Sequence, residues 1–411
     1  MPVPPCTIER LRWQDRALGS VPLPQAPLTF LESFGSGLSR RRCDPPGHFW
    51  GVGDRGPNLK IETLESRYGV SHLAGLRSVS GAKVMPRLDI GPRIARLRIE
   101  GDAVALVESL PVRDDAGRAV SGLPMPASEH TISEPAFGLD GRPIGADPSG
   151  LDTEGMVALE GGSFILSEEF GPSLVHLDAG ARVIARYVPQ GTGLTGARYP
   201  VHECLPAIAG KRQLNRGFEA ITVSRDQRSL FVAFQSPLAH PDEETHKRAR
   251  HVRLWRLDIG AMRVLGQYLY PLDPPESFVR DRSAGSIGWS DLKVSEMVCL
   301  PGGGLLVLER ASRTTKIYKV SPDEGRALGP EHLDRATRPT IEEISAAGGP
   351  LPQLDKRLLF SSDDAPEVGA DLEGMAVLSP RELLLVNDND FGVEGATTAF
   401  WRLTFDDPVL G

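Results

Sequence analysis

The chain has 411 residues, of which 44 are glycine and 35 proline, with 40% hydrophobic residues and a net charge of −8. Glycine and proline at that density argue against a mainly helical protein and for many short strands joined by turns. The acidic balance, with no basic run interleaved with aromatics, excludes a nucleic-acid surface, and no stretch approaches the roughly 18–20 apolar residues of a membrane-spanning helix.

In chain order, the opening residues MPVPPCTIERLRW lack the charged-then-apolar layout of a secretory leader. A strand is expected around Leu28 to Leu31. Ser36-Gly37-Leu38 is the faintest copy of a unit that recurs as Glu154-Gly155-Met156, Glu219-Ala220-Ile221, Ser295-Glu296-Met297 and Glu373-Gly374-Met375. Each copy opens an apolar strand, and a turn follows it (RCDPPG, EGG, SRDQR, PGGG, SPRE). A second strand then ends in polar residues: HFWGVGD, SFILSEE, LFVAFQ, LLVLER, LLLVNDND. Third strands such as ARLRI, RLWRLD and FWRLTF follow, and several units show a fourth, such as RVIARYVP. The basic stretch HKRARHVR, from His246 to Arg253, reads as a solvated loop.

Four antiparallel strands repeating at roughly 65–80 residues are the signature of a β-propeller blade. The longer first interval is accounted for by residues 113–150, rich in Pro, Gly and Asp, read as a long inter-blade loop. The expected architecture is therefore all-β: one propeller domain over residues 1–411, with five blades of four strands. Leu28–Leu31 would complete the last blade. Six blades is the alternative, with a degenerate blade between Lys60 and Asp147. Two separate β domains or a sandwich would not generate five recurrences of one motif.

Equivalent positions in a propeller form a ring around the central channel. Ser36, Glu154, Glu219, Ser295 and Glu373 are expected to converge there, with Glu296 able to replace Ser295 if a bulge intervenes. One Glu at a strand start is ordinarily a solvated cap. Three at one repeat position repel unless protonated or met by a cation, and an all-oxygen set suits Ca2+ before Mg2+. A second polar layer ends the second strands: Asp54, Glu168 with Glu169, Gln235, Glu309, and Asn387-Asp388-Asn389-Asp390, with Arg55, Arg216 and Arg310 nearby. Carboxylates and arginines around a cation suit a phosphate ester. The arginines and polar groups (Gln235, Asn387, Asp388) would hold the phosphate, and Asp54, Glu168 or Glu309 would orient water. The serine-nucleophile elbow, the H-E-x-x-H motif, the P-loop and the dinucleotide fingerprint are absent. His130, His176 and His202 lack metal-ligand spacing and read as structural. The four cysteines lack C-x-x-C spacing, leaving one disulfide open, for example Cys43 with Cys204.

The segments SGLSRRRCDPPGHFWGVGDRGPN, LDTEGMVAL…FILSEEFGPSLVHLD, NRGFEAITVSRDQRSLFVAFQSPL and DLEGMAVL…LLLVNDNDFG resemble the phytase-like family, known by its "esterase-like activity of phytase" domain, across about Ser33 to Phe405. The resemblance implies a propeller, commonly an exported bacterial protein, with phosphoester or ester hydrolase activity. The Ser/Glu/Glu/Ser/Glu ring is also similar in kind to the central calcium site of five-bladed calcium-activated nucleotidases. No dense lysine cluster is present, which argues against phytate itself as substrate. The expectation is a monomeric, periplasmic or secreted Ca2+-dependent hydrolase acting on a small-molecule phosphate ester. The alternatives are a non-catalytic calcium-stabilised propeller that binds a ligand or protein, and a carboxylester hydrolase.

Overall fold

The computed structural model describes residues 3–129 and 131–411, so His130 lies outside the described residues. Five four-stranded antiparallel blades surround one axis. Blade 1 runs outward through Gly37–Ser39, His48–Gly53, Arg93–Glu100 and Ala103–Pro111. Blade 2 comprises Thr153–Ala158, Phe164–Glu168, Ser173–Leu177 and Val183–Pro189, with Val201–Leu205 added parallel at its edge. Blade 3 comprises Phe218–Val223, Ser229–Phe234, His251–Asp258 and Arg263–Pro271. Blade 4 comprises Lys293–Cys299, Leu305–Arg310, Thr315–Val320 and Lys356–Ser361. Blade 5 comprises Leu372–Val377, Glu382–Asn387 and Phe400–Phe405.

The outer strand of blade 5 comes from the start of the chain. Cys6–Leu11 pairs antiparallel with Phe400–Phe405, Cys6 opposite Phe405 and Leu11 opposite Phe400. This corrects the expectation for Leu28–Leu31, which forms a separate hairpin with Ala17–Val21. The reason is where its apolar face goes. Leu28 and Phe30 are fully buried against Leu59, Ile61, Leu64 and Tyr68, in a cluster that also takes in Phe391 and Val393. The stretch HKRARHVR is likewise no loop. It ends the helix Glu243–Arg248 and begins the third strand of blade 3, where Arg253 is buried in an ion pair with Glu342 at 2.7 Å. All four cysteines are free.

The inner strands form a closed circle, each touching those of both neighbouring blades. Hydrophobic residues pack between blades, as where Trp50 of blade 1 meets Phe164 of blade 2 edge-on at 4.8 Å. In blades 2 to 5 the pairing of the inner strand with the second strand slips at the repeated motif, between Thr153 and Gly155, Phe218 and Ile221, Val294 and Glu296, and Leu372 and Gly374. Such a bulge re-aims the motif side chain out of the ladder. The glycine beside it permits close approach, since a Cβ on Gly155 would stand 2.4 Å from the Glu219 carbonyl oxygen of the next blade. Glu296 spans the axis from blade 4. Its carboxylate accepts the N–H of Leu38 in blade 1 (2.9 Å) and of Met297 (3.0 Å), and that of Met375 in blade 5.

Gly155→Ala should therefore destabilise the fold by about 1–3 kcal/mol through overpacking. Gly161→Ala, with nothing within 4 Å of the added carbon, should not. Chemical denaturation of both variants checks this; equal stabilities would show that the inner strands do not need the close approach.

Candidate functional site

The repeated motif begins each inner strand, so its side chains gather at one mouth of the channel. The five expected ring residues divide into three groups there. Ser36 donates to Asp388 Oδ2 at 2.9 Å, and Ser33 donates to Asp388 Oδ1 at 2.7 Å. Glu219, Ser295 and Glu373 gather around a side-chain cation. The Arg310 Nε donates to Ser295 Oγ at 2.9 Å and its Nη2 pairs with Glu373, while Ser295 Oγ donates to Glu219 Oε1 at 3.3 Å. Gln235 Nε2 also donates to Glu219 Oε1, at 2.6 Å. Glu154 belongs to neither group. It is buried beside Asp152 and Glu169, with carboxylate oxygens of all three within 4.8 Å of one another. Asp54, Asp388 and Asp390 form a second such trio.

Several second-layer residues have structural posts instead of the substrate roles expected of them. Glu168 is fully buried and accepts from Asp152 N, Phe170 N, Gly171 N, Ser173 Oγ and Arg186 Nη2, the last at 2.6 Å. No acceptor site is left to orient water. Glu309 is also fully buried, accepting from Tyr270, the Asp273 N–H and Lys356, each at 2.6 Å. Arg55 pairs with Glu134 and with Asp152 at 3.0 Å and lies over the Phe170 ring at 4.9 Å, so it organises the acidic trio from behind. Arg310 is spent within the ring. Asn387 holds its own loop through Thr397 O, Asp388 O and the Ala399 N–H. His176 and His202 sit on the third and added strands of blade 2, His202 stacked on Tyr187 at 5.6 Å.

Buried side-chain atoms without a hydrogen-bond partner occur across the molecule, and several belong to this mouth. Glu169 Oε1, Glu219 Oε2, Gln235 Oε1 and Arg216 Nη1 are buried without hydrogen-bond partners among the described residues. Arg216 makes one bond, from Nη2 to Ser290 O at 3.3 Å. Burial, then Glu219, Asp152 and Glu169, raises Glu154 well above the usual carboxylate range. Burial pushes Asp152 up to about 8, with Arg55 opposing it and Glu169 and Glu134 adding to it. Burial and Glu219 bring Glu169 to about 7. Asp54 is raised by burial, Asp388 and Asp152. Lys293 is pushed down to about 7 by burial and by Arg310 and Arg216. Asp152 and Lys293 are not expected from the sequence: each lies just before the bulge at the motif, which breaks the alternation that would relate it to the ring position.

A five-bladed propeller with an acidic and arginine-lined mouth defines the class. Within it, residues 34–391 match the phytase-like family, described as esterase-like activity of phytase, and the chain belongs to that family. A curated relative, an uncharacterised secreted protein of Arthroderma benhamiae, is 27% identical over 301 residues, 65% of this chain. The chain spans just over half, 55%, of that relative's length. Among solved structures, the periplasmic gluconolactonase of Pseudomonas aeruginosa aligns with a TM-score of 0.37 and 12% identity over 98% of this chain and 94% of that one. A gluconolactonase of Xanthomonas campestris aligns with a TM-score of 0.28 and 9% identity over 76% and 68%. At these scores neither likeness bears on the chemistry.

Two outcomes follow from the geometry. Glu168→Leu should cost about 3–5 kcal/mol by leaving Arg186 buried and unpaired; a variant of unchanged stability in urea would contradict the structural post. In chelator, Asp152 and Glu169 keep protons up to about 8 and about 7, whereas unfolded carboxyls lose theirs near pH 4. At these two sites the folded state binds more protons in that window, so their contribution to stability falls as pH rises from about 5 to 8. The melting temperature of the parent should therefore fall across that range relative to that of the Asp152→Asn, Glu169→Gln double variant, and parallel profiles would refute it.

Proposed function

We propose that this chain is a Ca2+-dependent hydrolase of small-molecule phosphate esters, acting as a monomer at the motif-bearing mouth, in the periplasm or outside the cell. The observation that carries the reading is the pair of buried atoms without hydrogen-bond partners, Glu169 Oε1 and Arg216 Nη1, at one mouth, one a carboxyl oxygen and the other a guanidinium donor. Burial of both without use elsewhere favours a ligand that meets both signs. The location is supported by the secreted relative.

Asp152, Glu154 and Glu169 fit a hard cation: they are all oxygen donors, mutually close, and carry an orphaned buried oxygen. Bound there, Ca2+ would neutralise and polarise phosphoryl oxygens. Arg216 donates to a non-bridging phosphate oxygen through Nη1, and Lys293, on the same mouth, adds a second nitrogen donor. Asp54, at the same mouth, accepts the proton of the attacking water when it is ionised, a state that a cation bound nearby would favour. The water oxygen bonds to phosphorus and the ester P–O bond breaks. The leaving alcohol oxygen takes a proton from solvent at the open mouth.

Hydrolysis of p-nitrophenyl phosphate and nucleotides, measured with Ca2+ and with chelator, tests this. Turnover should require the ion, and Arg216→Ala or Glu154→Gln should lower kcat/KM by about 10²–10³-fold. No turnover with any metal, alongside a Ca2+-dependent rise in Tm, would leave a non-catalytic calcium-stabilised propeller. Metal-independent cleavage of p-nitrophenyl butyrate would favour the carboxylester reading.

A further inference from the structure

The opposite mouth of the channel holds a cavity of about 440 Å³, within the size range of small-molecule sites. The repeat shows what lines it. Four residues beyond each ring position, where the inner strands end, stand Arg40, Ala158, Val223, Cys299 and Val377, and all five line this cavity. Four of these positions are apolar in character and one is cationic. Val223, Cys299 and Val377 are half-buried, although each sits at the end of a strand that is otherwise packed. Leu38, Met156, Ile221, Met297 and Met375 line it further in, and Glu296 accepts the N–H groups of Leu38, Met297 and Met375.

The rim is positive. Arg40 uses Nη1 on Leu378 O at 2.7 Å, while its Nε is buried without a hydrogen-bond partner. Arg225 is exposed and forms no ion pair among the described residues. The acidic residue at the rim, Glu160, is already taken by Arg42, through Nε at 3.1 Å and the backbone N–H at 2.8 Å. An apolar chamber with uncompensated arginines at its lip matches a ligand with an apolar body and one negative end.

The geometry points to a second binding site at this mouth, for an amphiphilic carboxylate of medium chain length: the chain lies among Ala158, Val223, Cys299 and Val377, and the head is held by Arg40 and Arg225. The site is independent of the hydrolytic reading, because no residue is shared with the other mouth. Charge complementarity selects the anion, and the apolar ring below the open rim selects against short acids.

Isothermal titration with decanoate, decanol and acetate on the full chain tests it. Decanoate should bind, acetate should not, and Arg40→Met should weaken decanoate by about tenfold or more while leaving decanol unchanged. Decanoate should also slow alkylation of Cys299 relative to the exposed Cys43, read by mass spectrometry, which locates the ligand without relying on any variant. Phosphatase turnover should be untouched by Arg40→Met. Equal binding of decanoate and acetate, equal binding by the parent and Arg40→Met, or no protection of Cys299 would each overturn the assignment.

Discussion

The pairing of Cys6–Leu11 with Phe400–Phe405 is the contact on which the other features rest. It joins residues from both ends of the sequence within one sheet, supplies the fourth strand of blade 5, and holds that blade beside blade 1. The chemistry at the mouth crosses that seam. Ser33 and Ser36 hold Asp388 across more than 350 residues of sequence, and the Asp54, Asp388 and Asp390 trio exists only because the ring is shut. Ring closure and site assembly are thus one event.

Around the axis, the structure deals with crowded carboxylates in three different ways. Asp388 is quieted by two hydroxyl donors. Glu219 and Glu373 share the charge of Arg310 and the bonds of Ser295 and Gln235. Asp152, Glu154 and Glu169 keep much of their repulsion, eased on one side by Arg55, and answer it by holding protons to higher pH. That contrast singles out the third group. A repeat supplies equivalent positions, but the neighbours added by each blade decide which of them stays reactive.

The five-bladed ring was legible in the sequence because one motif recurs with its turn and its second strand, and because a propeller turns equivalent positions into spatial neighbours. The converging carboxylates were legible for the same reason. The partition among them was not. Arg310 and Arg55 read as phosphate ligands beside acidic residues, and nothing in linear order tells an arginine that faces inward from one left free. Glu168 and Glu309 end their strands like Asp54 does, yet Arg186 and Lys356, which claim them, lie on strands further out in the sheets. The closing strand was misplaced because TIERL and PLTF both offer short apolar patterns, and only the shape of the cap over Leu59 and Leu64 separates them.

Glu296 has a wider consequence. By reaching from blade 4 to the backbone of blades 1 and 5, it turns what could have been a tube into two cups set back to back. With Glu296 fully buried and bonded to blades 1 and 5, the axis is filled at its level by side chain and backbone. The two faces are then free to diverge in evolution, each altering its own rim residues while the shared floor stays as it is.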